Sequence, residues 1–253
     1  MMYWIDSHCH INDEAFKDDL NEVLNRMAEG NILEAMIISS YIEDYEFAKT
    51  IGHEKISFKR SLGIYPGDAD DVDEKLFEEF ERRFKEDECK AIGEIGLDYH
   101  WRKDNIEKQK KVFEDQLALA KELQKPVIIH SRDAVDDTYE ILSRYDVKGV
   151  MHCYSDDAKM ALKFLDLGFY ISMAGPVTWK KAVKELEVVH TVPLNRLLIE
   201  TDCPYLAPSP MRGKRNEPSF VAYTGEKIAN ELGVETAELQ KQLIENYHTL
   251  FGL

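Results

Sequence analysis

Short apolar runs recur along the chain, and each of them ends in polar or small residues. Most are too short for helices, and several are rich in Ile and Val, as is typical of strands buried on both faces of a parallel sheet. The pattern predicts eight strands, at Tyr3–Ser7, Ala35–Ser39, Lys59–Ile64, Ala91–Glu94, Val127–His130, Gly149–His152, Phe169–Ser172 and Leu197–Thr201.

Longer segments with helical periodicity lie between the later strands. Asn105–Gln124 is the clearest of them, since Asp104 is placed to cap it and Pro126 follows its end. Glu107 stands three residues after Asp104, which is the spacing of a capping box. Further helices are expected at Glu74–Lys85, Ala134–Tyr145, Ala158–Leu167, Lys180–His190, Phe220–Leu232 and Thr236–Leu250.

The alternation of strands and helices indicates the fold class. Strands separated by helices pair in parallel through right-handed crossovers. Eight such units in 253 residues favour an α/β fold of the TIM-type (β/α)8 barrel, with catalytic groups at the C-terminal ends of the strands. Because no low-complexity linker interrupts the pattern, residues 1–253 are expected to form a single domain.

Residue types that bind metal ions follow the predicted strands at one end of this barrel. A single histidine in such a place is more often structural than a ligand, but four of the eight histidines share the position. A charged group at the end of a buried strand is also costly unless it is paired or bound to a metal. The predicted ligands are His8, His10, Glu94, His130, His152 and Asp202.

The spacing of these residues suggests a centre of two divalent ions. Residues i and i+2 of a strand face the same way, so His8 and His10 can hold one ion. The two oxygens of Glu94 can bridge to a second ion about 3.5–4 Å away, held by His130 and His152. Two such ions activate water and stabilise developing charge. Zn²⁺, Mn²⁺ and Mg²⁺ all remain candidates.

Two carboxylates are the predicted catalytic residues of this centre. Asp202 is expected to take the proton of the attacking water, because it would lie beside the ions at the end of the last strand. Glu94 is expected to act with it by bridging the ions. A binding protein without activity would need no such proton acceptor, which favours an enzyme.

Charge and cysteine content limit the partners. The net charge of −16 disfavours broad electrostatic coating of DNA, although it permits short contacts at a local site. The four cysteines show no CxxC spacing, and no apolar run approaches the roughly 20 residues of a membrane span. A soluble cytoplasmic protein is expected, with no secretory leader, no membrane association and no stable protein partner.

Six motifs in order resemble the TatD family of metal-dependent deoxyribonucleases, within the amidohydrolase-like superfamily, and the resemblance spans the whole chain. They are DSHCH at Asp6–His10, GEIGLDYH at Gly93–His100, IHSR at Ile129–Arg132, MHCYS at Met151–Ser155, ETDCPYLAP at Glu200–Pro208 and RGKRNEP at Arg212–Pro218. The resemblance implies a distorted TIM-type barrel, the same six ligands, and DNA as the substrate, often cleaved from a 3′ end. Some relatives deacylate misacylated tRNA. A metal-dependent ester or amide hydrolase and a non-catalytic metal or nucleic-acid binding protein are therefore the alternatives.

One segment departs from the family pattern. Many relatives carry His-Pro-His after the third strand, whereas Tyr65 and Gly67 stand here in place of both histidines. Tyr65 is expected either to bond or stack with substrate or to be part of a simple turn.

Several residues near the mouth are candidates for contact with substrate. The full set is Tyr65, Asp98, His100, Arg132 and Arg212, with Lys214 and Arg215 as further phosphate contacts. The alternatives are that Arg132 only balances nearby acidic groups and that the loop of Arg212, Lys214 and Arg215 is a solvated run of charges. Asp98 and His100 are expected to orient ligands or substrate. Cys9, Cys153 and Cys203 are expected to pack away from the metals, because they alternate with ligands along the strands.

Overall fold

Eight parallel strands form one sheet in chain order in the computed structural model of the protein, which describes residues 2–253. All of the predicted strands are present, and the TIM-type barrel is confirmed. The strands are β1 (Trp4–Cys9), β2 (Ile32–Ser39), β3 (Ser57–Leu62), β4 (Cys89–Asp98), β5 (Val127–Arg132), β6 (Gly149–Met151), β7 (Tyr170–Met173) and β8 (Leu197–Ile199).

Backbone hydrogen bonds just beyond the C-terminal ends of β1 and β8 join these two edge strands and nearly close the barrel. The backbone N–H of Asp202 donates to His8 O at 3.0 Å, and that of His10 donates to Cys203 O at 2.9 Å. The buried Asp6 carboxylate accepts from the backbone N–H of Thr201 at 2.9 Å and from its hydroxyl at 2.6 Å. This closure places His8, His10 and Asp202 beside each other.

Nine α-helices of residues 2–253 surround the sheet. They are α1 (Leu20–Glu29), α2 (Ile42–Ala48), α3 (Glu74–Phe84), α4 (Ile106–Leu123), α5 (Val135–Leu142), α6 (Ala158–Asp166), α7 (Val183–Thr191), α8 (Val221–Leu232) and α9 (Thr236–Phe251). The sequence pattern did not identify α1 and α2. No helix in the described range combines the length and apolar character needed to cross a bilayer.

The predicted capping box of α4 is wrong. The cap position is Asn105, and its side chain makes no capping hydrogen bond. Asp104 instead accepts from the Arg102 guanidinium at 3.1 Å, because this neighbouring cation competes for the carboxylate. Asn105 Oδ1 accepts from the buried Gln109 amide at 2.8 Å, so the start of α4 is fixed by a side-chain network.

Strand β4 was predicted to end at Glu94, but it continues to Asp98. A bulge explains the difference: Ile92 pairs with Val127 and Ile95 pairs with Ile129, so β4 carries one extra residue against β5. Bulges redirect side chains and are frequent next to active sites. The bulge explains how the carboxylate of Glu94, a residue within β4, reaches the predicted metal site.

Gly225 of α8 lies against the indole of Trp4 at the start of β1. A Cβ at position 225 would lie 2.5 Å from Trp4 Cη2. Gly225→Ala is therefore expected to lower the free energy of unfolding by about 1–3 kcal/mol, although alanine has the higher helix propensity. Urea unfolding measures the change, with Gly52→Ala as control because nothing lies within 4 Å of a Cβ there. Equal stability of both variants would contradict this packing.

Candidate metal centre

The six predicted ligands converge at the C-terminal end of the barrel in two groups. In the first group, Glu94 Oε2 lies 3.5 Å from His8 Nε2 and 3.8 Å from His10 Nε2. Asp202 Oδ1 lies 3.6 Å from both of these nitrogens, and the two nitrogens are 3.1 Å apart. We call these four side chains the first bay.

The other oxygen of Glu94 faces the second group. Glu94 Oε1 lies 2.7 Å from His130 Nδ1 and 2.9 Å from His152 Nε2. The two histidine nitrogens are 3.4 Å apart. This is the second bay, and Glu94 belongs to both.

These donor atoms fit metal coordination. Ligands at about 2.0–2.2 Å from one transition-metal ion lie about 3.0–3.5 Å from each other. The separations within the first bay run from 3.1 Å between His8 and His10 to 3.8 Å between His10 and Glu94. The first bay can therefore hold one ion with little movement of the side chains. In the second bay Glu94 lies closer to His130 and His152, at 2.7 and 2.9 Å, so these side chains would move slightly apart around an ion.

The electrostatics of the centre also favour a cation. Burial alone would lower the pKa of His152, but the charge of Glu94 and hydrogen bonds with Glu200 and Glu94 outweigh it and raise that pKa well above its usual value. Neighbouring carboxylates likewise outweigh burial at His130 and His10, and raise the pKa of each. Burial would raise the pKa of Glu94, yet the charge of His152 and the histidine hydrogen bonds hold it well below its usual range. Protons on these histidines and metal ions would compete for the same positions.

Asp98 is placed to orient the second bay. Its Oδ2 lies 2.9 Å from His130 Nε2, which fixes the proton on that nitrogen and leaves Nδ1 facing Glu94. Its Oδ1 accepts from the backbone N–H groups of His100 at 2.9 Å and Trp101 at 3.0 Å. A carboxylate on the far nitrogen of a histidine typically fixes the orientation and basicity of a metal ligand.

Glu200 plays the same part for His152, although it is absent from the predicted site. Its carboxylate is fully buried, lies 3.2 Å from His152 Nδ1, and accepts from the backbone N–H of Cys153 at 2.7 Å. The available signal was an acidic residue at the end of a buried strand, which is the pattern that identified Glu94.

Tyr65 belongs to this network and also to a turn. Its hydroxyl donates to Asp98 Oδ2 at 2.8 Å, and its ring meets the ring of His130 edge to face at 5.2 Å. Pro66–Asp68 forms a single 3-10 turn after it. A Cβ at position 67 would lie 2.8 Å from Tyr65 Cε1, so Gly67 leaves room for the larger ring. The two departures from the family pattern are thus sterically linked.

Tyr65→Phe tests this network. Loss of one hydrogen bond to a buried carboxylate is expected to weaken metal binding about twofold to tenfold, as about 0.5–1.5 kcal/mol implies. Titration of the metal-free protein with Mn²⁺ measures the change. Tyr99→Phe is the matched control, since its hydroxyl donates to Asp137 at 2.7 Å and Tyr99 does not line the cavity. Equal metal affinity in the two variants would remove Tyr65 from the network.

A cavity of about 880 Å³ lies over both bays. Arg132 lines it, and the Arg132 guanidinium lies 5.4 Å from the ring centroid of Trp101. The aromatic residues that line the cavity are Tyr41, Tyr65, Trp101, Tyr154, Trp179 and Tyr205.

The remaining candidates for substrate contact lie outside the cavity lining. The exposed His100 lies 3.1 Å from Asp133 through Nδ1. Arg212 is exposed and stacks on Trp179, with 4.2 Å between the guanidinium and the ring centroid. Arg215 donates to Asp19 at 2.6 and 2.7 Å, so that pairing already engages the guanidinium.

The packing prediction for the cysteines holds for two of three. Cys9 and Cys203 are fully buried. The prediction is wrong for Cys153, which lines the cavity. Strand β6 ends at Met151, and Cys153 has a left-handed backbone with φ of 41°, so strand alternation does not apply there.

Comparisons with known proteins agree with this geometry. The sequence model of the family described as TatD related DNase matches residues 5–252. The chain is 40% identical to YabD of Bacillus subtilis over 98% of both chains, and 36% identical to YcfH of Escherichia coli over 100% of this chain and 97% of that one. Both are named uncharacterized metal-dependent hydrolases. The crystal structure of YjjV, a TatD homologue of Escherichia coli, superposes with a TM-score of 0.91 at 28% identity, covering 99% of this chain and 98% of that one.

The fold and the centre define a metal-dependent hydrolase on a TIM-type barrel. More particularly, the chain belongs to the TatD family, whose sequence pattern it matches almost from end to end.

Proposed function

We propose that the protein is a phosphodiesterase that cleaves DNA, from a strand end, with two divalent ions. One observation carries the proposal: the two oxygens of Glu94 face two separate groups of ligands at the floor of one cavity. Bridged pairs of ions about 3.5–4 Å apart are typical of nucleases and phosphatases. The family description as DNases supports the choice of DNA.

In this mechanism His8, His10, Glu94 and Asp202 would hold one ion, and Glu94, His130 and His152 would hold the other. Bound ions of this kind lower the pKa of water and stabilise negative charge on phosphoryl oxygens. Asp202 meets the two histidines through Oδ1, so its second oxygen is available to accept the proton of the attacking water. Arg132 at the cavity wall is placed to pair with a substrate phosphate.

A deacylase of misacylated tRNA is the second candidate. Asp13, Asp44 and Glu185 line the same cavity, and this acidity suits the ammonium group of an aminoacyl ester better than a run of phosphates. Water activated at the same centre could attack the carbonyl carbon of such an ester.

The test is a gel assay of single-stranded and double-stranded DNA labelled at each end, in Mg²⁺, Mn²⁺ or Zn²⁺. Shortening of the strand from one end is the expected result. A parallel assay follows release of amino acid from misacylated tRNA. Ester hydrolysis without DNA cleavage under any of these metals would replace the first function with the second.

A further inference from the structure

Two tryptophans, Trp101 and Trp179, line the cavity, and an arginine guanidinium lies over the ring of each. We propose that Trp101 and Trp179 are stacking platforms for unpaired nucleobases of the substrate strand, and that Arg132 and Arg212 hold the adjoining phosphates. This inference rests on the proposed function, and it identifies the residues that select an unpaired strand over a base-paired one.

Trp101 is held in an exposed position. It is 68% exposed, whereas Trp4 is 5% exposed within the core. Its backbone N–H donates to Asp98 Oδ1, and Asp98 Oδ2 meets the ligand His130. One buried carboxylate therefore fixes both the ring of His130 and the backbone from which the exposed indole projects. A base stacked on Trp101 would thus lie close to a backbone position that is fixed relative to the second bay.

Trp179 is anchored by its edge. Its Nε1 donates to Ala207 O at 3.0 Å, which fixes the indole plane between the segments that follow β7 and β8. The backbone N–H of Ser209 donates to the Thr178 hydroxyl at 2.7 Å and ties the same two segments together. The Arg212 guanidinium covers a face of this ring, and an incoming base would take that face while Arg212 turns to a phosphate.

The barrel topology puts the two pairs on different sides of the mouth. Trp101 and Arg132 come from the ends of β4 and β5, and Trp179 and Arg212 follow β7 and β8. Strand β6 separates them on one side and β1 to β3 on the other. A strand with its scissile phosphate at the metal centre can therefore contact one platform on each side.

The acidic lining of the cavity favours contacts that do not depend on charge. Among the described residues Arg132 is the single arginine or lysine of the cavity lining, while Asp13 and Asp44 make the sector after β1 and β2 acidic. Contacts between these side chains and substrate phosphates would then contribute little to binding. Stacking of a base on an aromatic side chain contributes about tenfold or more in affinity and does not depend on charge. Bases inside a duplex are stacked on both faces and offer no free face to an indole.

The experiment combines enzyme variants with two substrates. Trp101→Ala and Trp179→Ala are assayed in Mn²⁺ on a short single-stranded oligodeoxynucleotide and on a strand of equal length whose terminal sites are abasic. We expect each variant to raise KM for the normal strand about tenfold with kcat within about threefold of wild type. On the abasic strand, wild type and variants should share one high KM, because the platforms have no base to bind.

Controls separate stacking from folding. Trp101→Phe and Trp179→Phe keep an aromatic face and should restore most of the affinity. Phe47→Ala removes an exposed aromatic that does not line the cavity and should behave as wild type. Circular dichroism melting shows whether each variant is folded.

Three results distinguish the failure of the platforms from the failure of the nuclease function. An unchanged KM for the normal strand in folded alanine variants would overturn the platforms while leaving the nuclease function in place. An equal rise in KM on both strands would also overturn them, since it would show an effect on phosphates or loop shape. Absence of cleavage of the normal strand by the wild-type protein would reject the proposed nuclease function itself.

Discussion

Glu94→Gln is expected to lower kcat by about 10³-fold or more. Glu94 has one oxygen toward each bay, and an amide can offer an oxygen to only one of them. The NH2 group of the glutamine would face the histidine nitrogens of the other bay. Activation of water and stabilisation of charge by bound ions contribute several kcal/mol, which corresponds to about 10³-fold in rate.

Metal content tests the same variant independently of activity. Dialysed protein is analysed for metal per chain, and thermal unfolding is followed with and without added Mn²⁺. A ligand that binds only the folded state raises its stability, so Mn²⁺ should raise Tm of the wild type and raise that of the variant much less. Glu88→Gln, an exposed carboxylate one residue before β4, is the control. Full metal content and full Tm gain in Glu94→Gln would contradict the bridging position.

The strand-end rule explains why the convergence of the candidate ligands could be predicted from the sequence. Parallel barrel strands bring their C-terminal ends together, so residues as distant as His8 and Asp202 are expected at one place. Glu94 joins them for a different reason from the predicted one. It does not end a strand, and a bulge within β4 directs it to the centre.

Contacts between side chains of different strands and loops could not be predicted in this way. Tyr65 follows β3, Asp98 ends β4 and His130 lies within β5, and their hydrogen bonds join residues 33 and 32 positions apart. Hydrophobic periodicity places strands but does not say which of these side chains meet. The positions of Trp101 and Trp179 depend on the same kind of contact.

Two local errors had local causes. Helix α1 carries its buried residues Val23, Leu24 and Met27 at helical spacing, so a signal for it was present. Asp104 has the right residue type and position for a cap, yet Arg102 engages it. A capping motif shows which hydrogen bond a side chain could make. Neighbouring charged groups compete for the same side chain and determine which bond forms.

Asp202→Asn is expected to keep the fold and part of the bound metal while lowering kcat about 10²–10⁴-fold. Burial would raise the pKa of Asp202, but the hydrogen bond with His10 and the charges of His152 and His8 lower it below its usual value, so the group is ionised and can accept a proton. Asparagine retains one ligating oxygen but is no base at neutral pH. It also tolerates the left-handed backbone at this position, where φ is 54°.

Asp133→Asn is the matched control for this variant, because Asp133 has the same φ of 54° and lies just beyond β5, outside the cavity lining. Its turnover should stay within about twofold of wild type, as is usual for a surface substitution. The measurements are kcat in saturating Mn²⁺, metal per chain, and Tm for all three proteins. Near-wild-type turnover in Asp202→Asn would remove Asp202 from the role of proton acceptor. If activity fell only in proportion to lost metal and recovered fully when the ion was supplied in excess, Asp202 would be a ligand and another group would take the proton.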